Sequence, residues 1–192
     1  MEQRMAYKAI KVTCRGGYAT LKTLKNVIDS FTVNSGVSLK NDFPESACFY
    51  MNEMFPNCIK IPDIFYNRDN MTVISSPVMK TILNYTHDNI EFLPVTIYNH
   101  KNFIIKQLFY ILNPLTIIDC IDKNKSTLCW NCIDPDLISS FGKLFLDYSV
   151  LQEAPPLIRP KYLGRLILIR EDLATILEKK SFKGLIINDI DI

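Results

Sequence analysis

At 192 residues the chain is long enough to bury roughly 70% of the surface its unfolded form exposes, so a folded core needs no disulfide or metal staple. Its 48% hydrophobic and 22% charged content excludes a disordered chain, and 22 basic against 20 acidic residues give a net charge of +2, without the concentrated basic stripe of a dedicated nucleic-acid binder. The longest apolar run, Phe103 to Ile118, is interrupted by Lys106, Gln107, Asn113 and Pro114 and falls short of the roughly 20 residues a membrane span needs.

The N-terminus, Met1 to Lys8, lacks the apolar core of a secretory signal, so the expected location is cytoplasmic, with no membrane insertion. Six cysteines, at 14, 48, 58, 120, 129 and 132, then read as reduced thiols, five of them in apolar or aromatic surroundings where cysteine behaves as a small hydrophobe. Tyr7 to Thr13 alternates as a strand and ends at Arg15-Gly-Gly17. Leu21, Leu24, Val27, Ile28 and Phe31 recur at helical spacing, which predicts a helix near 20–29. Lys8, Lys11, Arg15, Lys22 and Lys25 are spaced like the solvated side of ordinary elements. From Thr32 to Asn70 the prolines at 44, 56 and 62 cut the chain into short pieces, with a helix expected over Glu45–Met54.

A strand–helix–strand unit then occurs twice, over about 72–97 and 166–192. In the first, Ser75-Ser76-Pro77 supplies a side-chain acceptor and a proline for a helix start, with Met79, Ile82 and Leu83 on one face. In the second, Glu171 and Asp172 occupy the first turn and Lys179 and Lys180 the last, as the helix dipole favours; Leu173, Ile176 and Leu177 share a face. Lys80-Thr-Ile-Leu83 lies over Ala174-Thr-Ile-Leu177, and one added residue then places Asn89 over Gly184. Asn and Gly are the residues that most readily take the left-handed conformation that ends a helix. The closing segment, Leu185 to Ile192, should pair in the sheet.

Between the units, Phe103 to Cys120 reads as a strand bent at Asn113-Pro114, and Thr127 to Cys132 as another whose buried face is Leu128, Trp130 and Cys132. Asp134-Pro135 opens a predicted helix carrying Leu137, Ile138, Phe141, Leu144 and Phe145, and Ala154-Pro-Pro156 is the expected linker to the closing unit. The sum is a single α+β domain over 1–192, a mixed β-sheet with packed helices.

Catalytic constellations are few. Cys129-Trp-Asn-Cys132 is a CxxC around the only tryptophan, but a redox dithiol wants its first thiol at a helix start, and the predicted helix begins only near Pro135. Zinc would need two further ligands from Cys14, Cys48, Cys58, Cys120, His87 or His100, and no second CxxC or histidine pair supplies them. His87 and His100 both read as exposed turn residues. No G-x-S-x-G, Walker-type or G-x-G-x-x-G pattern occurs, so neither a cofactor nor catalysis is expected. Asp119, Asp122 and Ser126 form an acidic turn better suited to capping backbone N–H groups than to holding a hard cation.

One series of motifs does point to a family. Val73-Ile-Ser-Ser through Leu83, Ile90-Glu-Phe-Leu-Pro-Val95, Tyr110-Ile-Leu-Asn113, Ile117-Ile-Asp-Cys-Ile-Asp122 with Ser126, Leu168-Ile-Arg-Glu-Asp-Leu173 and Phe182-Lys-Gly-Leu185 follow in order. The series resembles the immunity proteins of bacterial polymorphic toxin systems, in the family typified by a myxobacterial immunity protein and formerly filed as a domain of unknown function. The likeness covers residues 60 to 192; residues 1–60 match poorly. Arg170 stands where such sequences often carry the serine that starts the last helix, and the Cys-Trp-Asn-Cys strand is not a family feature.

The resemblance implies a protein that binds and neutralises a cognate toxin, usually encoded by a neighbouring gene, by stoichiometric occlusion and without catalysis. It carries over no contact residues. From the sequence, Tyr66, Asn67, Arg68 and Asp69 on one loop and Tyr98, His100 and Lys101 on another combine aromatic and hydrogen-bonding groups as binding surfaces do. The near-neutral charge argues against a strongly basic toxin, whose inhibitor would be acidic. The alternatives are a thiol or metal-dependent enzyme centred on Cys129 and Cys132, or a generic protein-interaction domain.

Overall fold

Both strand–helix–strand units are present in the structure, a computed structural model that describes residues 6–27 and 29–190. In chain order the strands and helices begin with β1 (Tyr7–Val12), the one-turn helix α1 (Ser30–Val33), β2 (Cys48–Tyr50) and β3 (Ile64–Phe65). The first unit follows as β4 (Val73–Ser75), α2 (Ser76–Leu83) and β5 (Ile90–Tyr98), then β6 (Phe109–Pro114) and β7 (Ile117–Ile118). After β8 (Leu128–Trp130), β9 (Ile138–Phe141) and β10 (Leu157–Pro160), the second unit is β11 (Leu168–Arg170), α3 (Glu171–Lys179) and β12 (Leu185–Asp189). The fold is α+β with mixed sheets and few helices. No described helix is long and apolar enough to cross a membrane.

The two units share more than their grammar. One sheet runs β2-β5-β6-β4-β3 and the other β12-β1-β11-β10-β7. In each, the two parallel strands of the unit flank an antiparallel middle strand, β6 in the first and β1 in the second. The middle strand therefore follows its unit in one case and comes from the far end of the chain in the other. The matched backbone contacts agree. Leu115 N–H donates to Asn89 O at 2.8 Å, and Thr13 N–H to Gly184 O at 3.0 Å. Ser76 N–H reaches Leu108 O at 3.0 Å, and Glu171 N–H reaches Ala6 O at 2.9 Å. Ser75 N–H and Arg170 N–H find Asp63 O and Pro156 O, each at 2.8 Å.

Asn89 and Gly184 are indeed both left-handed, with φ of 45° and 88°. The helix alignment is simpler than the repeated letters suggest: Lys80 lies over Thr175, and no residue is inserted. The buried positions set the phase, Val78 and Ile82 in α2 matching Leu173 and Leu177 in α3. Ser75 does not cap α2 with its side chain; its hydroxyl donates to Asp63 Oδ1 at 3.1 Å. Arg170 starts α3 without a side-chain cap as well, and instead grips Asp172 at 2.9 Å and Ala154 O at 3.3 Å.

Each sheet buries both faces, by alternation along its strands. One face of each meets a shared helical layer: Ile64, Ile74 and Leu112 from the first sheet and Ile10, Leu157 and Ile169 from the second close on Val78, Ile82, Leu173 and Leu177. Full burial of each of these side chains contributes about 1.5–3 kcal/mol. The other face of the first sheet, with Phe65, Val73 and Ile111, is covered by residues from Ala19 to Met51. The other face of the second, with Ala9, Ile158 and Leu168, is covered by residues from Cys120 to Leu151.

Those two coverings are where sequence periodicity misleads. Residues 20–27 are extended, not helical: Leu21, Lys22 and Lys25 donate their N–H groups to Tyr66 O, Tyr50 O and Cys48 O, and Asn26 turns the chain at φ 63°. The predicted participant Ile28 lies outside the described residues. Glu45–Met54 holds strand β2 in place of a helix, because Cys48 to Tyr50 pairs with Thr96 to Tyr98. The helix expected after Asp134 is β9, paired with β8. The strand expected from Phe103 begins only at Phe109, since residues 99–108 form a loop. Ala154-Pro-Pro156 is no loose linker, as the Tyr7 hydroxyl donates to Ala154 O at 2.9 Å or Pro155 O at 2.8 Å. Burial pushes the Tyr7 phenol up to about 12.

Candidate functional site

The seven residues singled out on two loops separate into three environments. Asn67 belongs to the core: it is 1% exposed, donates to Met71 O at 2.6 Å and accepts from Met71 N–H at 3.0 Å, closing its loop. Asp69 accepts from Leu24 N–H at 2.6 Å and so fixes the extended segment that replaced the predicted helix. Tyr66 and Arg68 are exposed, and Arg68 has no hydrogen-bond or ion-pair partner among the described residues.

Tyr98, His100 and Lys101 sit at the end of β5, a separate place. The chain order across the layer is Tyr66, Leu21, Met51, Tyr98, linked by Leu21 N–H to Tyr66 O and Met51 N–H to Tyr98 O. Three strand spacings put the two loops about 14 Å apart. The Tyr98 ring stacks on Tyr50 at 4.8 Å with 13° between planes. His100 Nε2 lies 3.1 Å from Asn52 O, and because a carbonyl only accepts, Nε2 carries the proton. Lys101 is exposed, while its backbone N–H, with that of Phe103, donates to Asn99 Oδ1.

These bonds hold two neighbouring loops, 52–55 and 99–104, in one arrangement, and both present apolar side chains to water. Met54 is 78% exposed, Phe103 66% and Ile104 59%, with Phe55 half exposed. A ridge of this kind, aromatic and aliphatic with Lys101 at its side, has the composition of a protein-binding surface. Because the loops are already pinned, docking costs little ordering entropy. Sequence reasoning singled out Tyr98, His100 and Lys101 and passed over the exposed Met54, Phe55, Phe103 and Ile104. An apolar residue in a short loop looks the same in sequence whether it folds inward or outward.

Tyr66, Arg68 and Asp69 instead line a cleft between residues 29–35 and 68–70 on one wall and 137–139 and 160–165 on the other. It comprises cavities of about 490 and 810 Å³ that share Asn70, Leu163 and Arg165. Gly164 lets the walls approach, for a Cβ there would lie 2.6 Å from Asn34 O. Behind this wall Arg159, 1% exposed, donates to Pro114 O at 3.1 Å, to Asn113 Oδ1 at 3.2 Å and to Gly164 O. Burial without a carboxylate lowers its pKa to about 10. Asn113 passes the contact on to Glu91, which also accepts from Ser38, Leu39 and Lys40.

The CxxC borders the cleft: Asn131 between its cysteines lines it, and the Trp130 ring meets Tyr162 edge-on at 5.4 Å. Cys129 and Cys132 are exposed and Trp130 is 40% exposed, so the expected buried face of this strand is not formed; only Leu128 packs against the core. The residues that follow form β9, so neither thiol stands at a helix start. Of the six cysteines Cys48 and Cys120 are buried, Cys58 is partly buried, and Cys14 is exposed with the CxxC pair, fewer inside than their apolar surroundings implied. Among the described residues no group of three or more His, Cys, Asp and Glu is placed to hold a metal ion. Asp122 closes its turn as expected, accepting from Asn124 and Lys125 N–H at 3.1 Å each. His87 is exposed.

No protein-family model and no curated protein matches this chain.

Proposed function

We propose that the chain is a non-enzymatic immunity protein of a bacterial polymorphic toxin system, which acts in the cytoplasm and neutralises a cognate toxin domain by stoichiometric occlusion. The observation that carries the reading is the pinned ridge of Met54, Phe55, Phe103 and Ile104 beside the Tyr50–Tyr98 stack. Exposed aromatic and aliphatic anchors on preformed loops are what an occluding protein needs, since a few such residues carry most of an interface's energy. The toxin as partner comes from the family resemblance of residues 60 to 192; the ridge speaks for protein binding.

Cells expressing a toxic domain encoded beside this gene should survive when the protein is co-expressed, and should die when Phe103→Asp and Ile104→Asp are introduced together. Failure of the wild-type protein to rescue cells from every such domain contradicts the reading. The exposure of Cys129 and Cys132 favours a second reading, a thiol site on β8. The variant Cys129→Ser with Cys132→Ser separates the two: full protection supports occlusion, and loss of protection in a folded variant supports the thiol site.

A further inference from the structure

The cleft between the two walls is chemically unlike the ridge. Its cations are Lys11, Arg68, Lys161 and Arg165; none of them has a carboxylate partner among the described residues, and Arg165 donates to Ser139 O. Its two lining carboxylates are already occupied. Asp29 accepts from Phe31 N–H at 2.8 Å and Thr32 Oγ1 at 2.5 Å, and Asp69 accepts from Leu24 N–H at 2.6 Å. The four cations thus outnumber the cleft's two carboxylates, which are held in place by their own hydrogen bonds, although the molecule as a whole is almost neutral. Apolar side chains stand among them, Phe31 at 84% exposure and Leu137 at 42%.

A backbone outlier marks the same wall. Tyr162 holds φ 69°, a left-handed conformation that a bulky side chain seldom adopts. Its carbonyl accepts from Ile138 N–H at 2.8 Å, and Lys161 lies 5.0 Å from its ring centre, so the strained residue fixes both the cleft wall and one of its cations.

We infer that this cleft binds an extended acidic peptide segment, with its carboxylates at Arg68, Lys161 and Arg165 and its apolar side chains over Phe31 and Leu137. Charge complementarity favours an acidic occupant, and arginine with its fork of donors suits carboxylates. An apolar wall shared with two carboxylates suits a peptide better than a nucleic acid, which needs denser, unopposed cations. The inference concerns a different surface from the ridge and does not rest on the toxin-neutralising reading.

A displayed library of random dodecapeptides, panned against the full chain, tests it. The enriched peptides should be acidic with interspersed apolar residues, and their synthetic forms should bind with a strong salt dependence. Arg68→Glu combined with Lys161→Glu should weaken them at least about tenfold at an unchanged melting temperature, while Arg68→Lys, which keeps the charge and loses the fork, weakens them less than the charge reversal does. Both side chains are exposed, so the fold tolerates the changes. The inference is overturned by an absence of enrichment, by neutral or basic winners, by equal binding to the double variant, or by displacement of the peptides by a single-stranded oligonucleotide.

Discussion

In the first unit the middle strand β6 follows β5 through the 99–108 loop, whereas in the second its equivalent, β1, arrives from the opposite end of the sequence. The same sheet is thus made once by a local hairpin and once by joining the two ends of the chain. Lys8 pairs with Asp189 at the place where Tyr110 pairs with Pro94, and a 3.2 Å ion pair supports the open end. The ridge loop 99–104 lies in the connection from β5 to β6. The exposed apolar side chains Phe103 and Ile104 lie on this connection. Loop closure for β1 with β11 and β12 spans most of the chain, so this pairing should form late in folding.

The comparison is broken most severely by removing the strand that closes the second sheet. Deleting Leu185–Ile192 strips β1 of its five-residue partner and takes Leu185, Ile187 and Ile190 out of the core, a loss of about 5 kcal/mol, comparable with the net stability of a domain. Thermal unfolding of the truncated chain should lose its cooperative transition; an unchanged melting curve would show that β12 is dispensable. The matched turns come next. Gly184→Ala meets Ile64 O at 2.3 Å as well as a φ of 88°, and should cost about 3 kcal/mol. Asn89→Ala faces only the left-handed conformation and should cost about 1 kcal/mol in denaturant titrations. Equal effects would remove the distinction between the two turns.

Much of this pairing was legible in the sequence. Pro77, the acidic first turn of α3, and Asn89 and Gly184 marked helix boundaries through local backbone chemistry that holds in any context. The coverings of the sheets were not legible, because their order is set by distant partners. Leu21 and Leu24 recur at helical spacing, yet the carbonyls of Tyr50, Cys48 and Tyr66 draw the segment into extended form. Leu137 and Phe141 likewise fit a helix until β8 claims the segment. Of the candidate contacts, Tyr98, His100 and Lys101 lie together at the end of β5, as their closeness in the sequence implied. Asn67 was misplaced because an asparagine that closes its own loop looks like any polar turn residue.

Acid should sharpen the comparison further, since each unit carries a carboxylate whose pKa its partners depress. Burial acts to raise Glu91, but hydrogen bonds from Leu39, Ser38, Asn113 and Lys40 outweigh it and hold the carboxyl below its ordinary value of 4.5. Burial is likewise outweighed at Asp172 by Arg170, Tyr85 and Leu173 N–H. A depressed carboxyl stabilises the fold above its unfolded pKa, and that contribution disappears as pH falls through the lower folded value. Glu91→Gln should therefore lower the melting temperature at neutral pH, with the gap to wild type closing below pH 4.5. A gap that persists in acid would assign the effect to shape and not charge. The smallest effect belongs to a circular permutant that links Ile190 to Ala6 through a short loop and opens the chain at the exposed Asn124. Its melting temperature should stay within about 5 °C of wild type, and failure to fold would refute the equivalence of β1 and β6.

The most direct test of the functional account is a tagged pull-down from native cells at moderately high salt, run in parallel with wild type and with the Phe103→Asp, Ile104→Asp variant. Mass spectrometry should identify one stoichiometric partner carrying a toxic C-terminal domain in the wild-type eluate, and that partner should be missing from the variant's. A wild-type eluate without such a partner, or the same partner recovered equally with the variant, would contradict occlusion through the ridge.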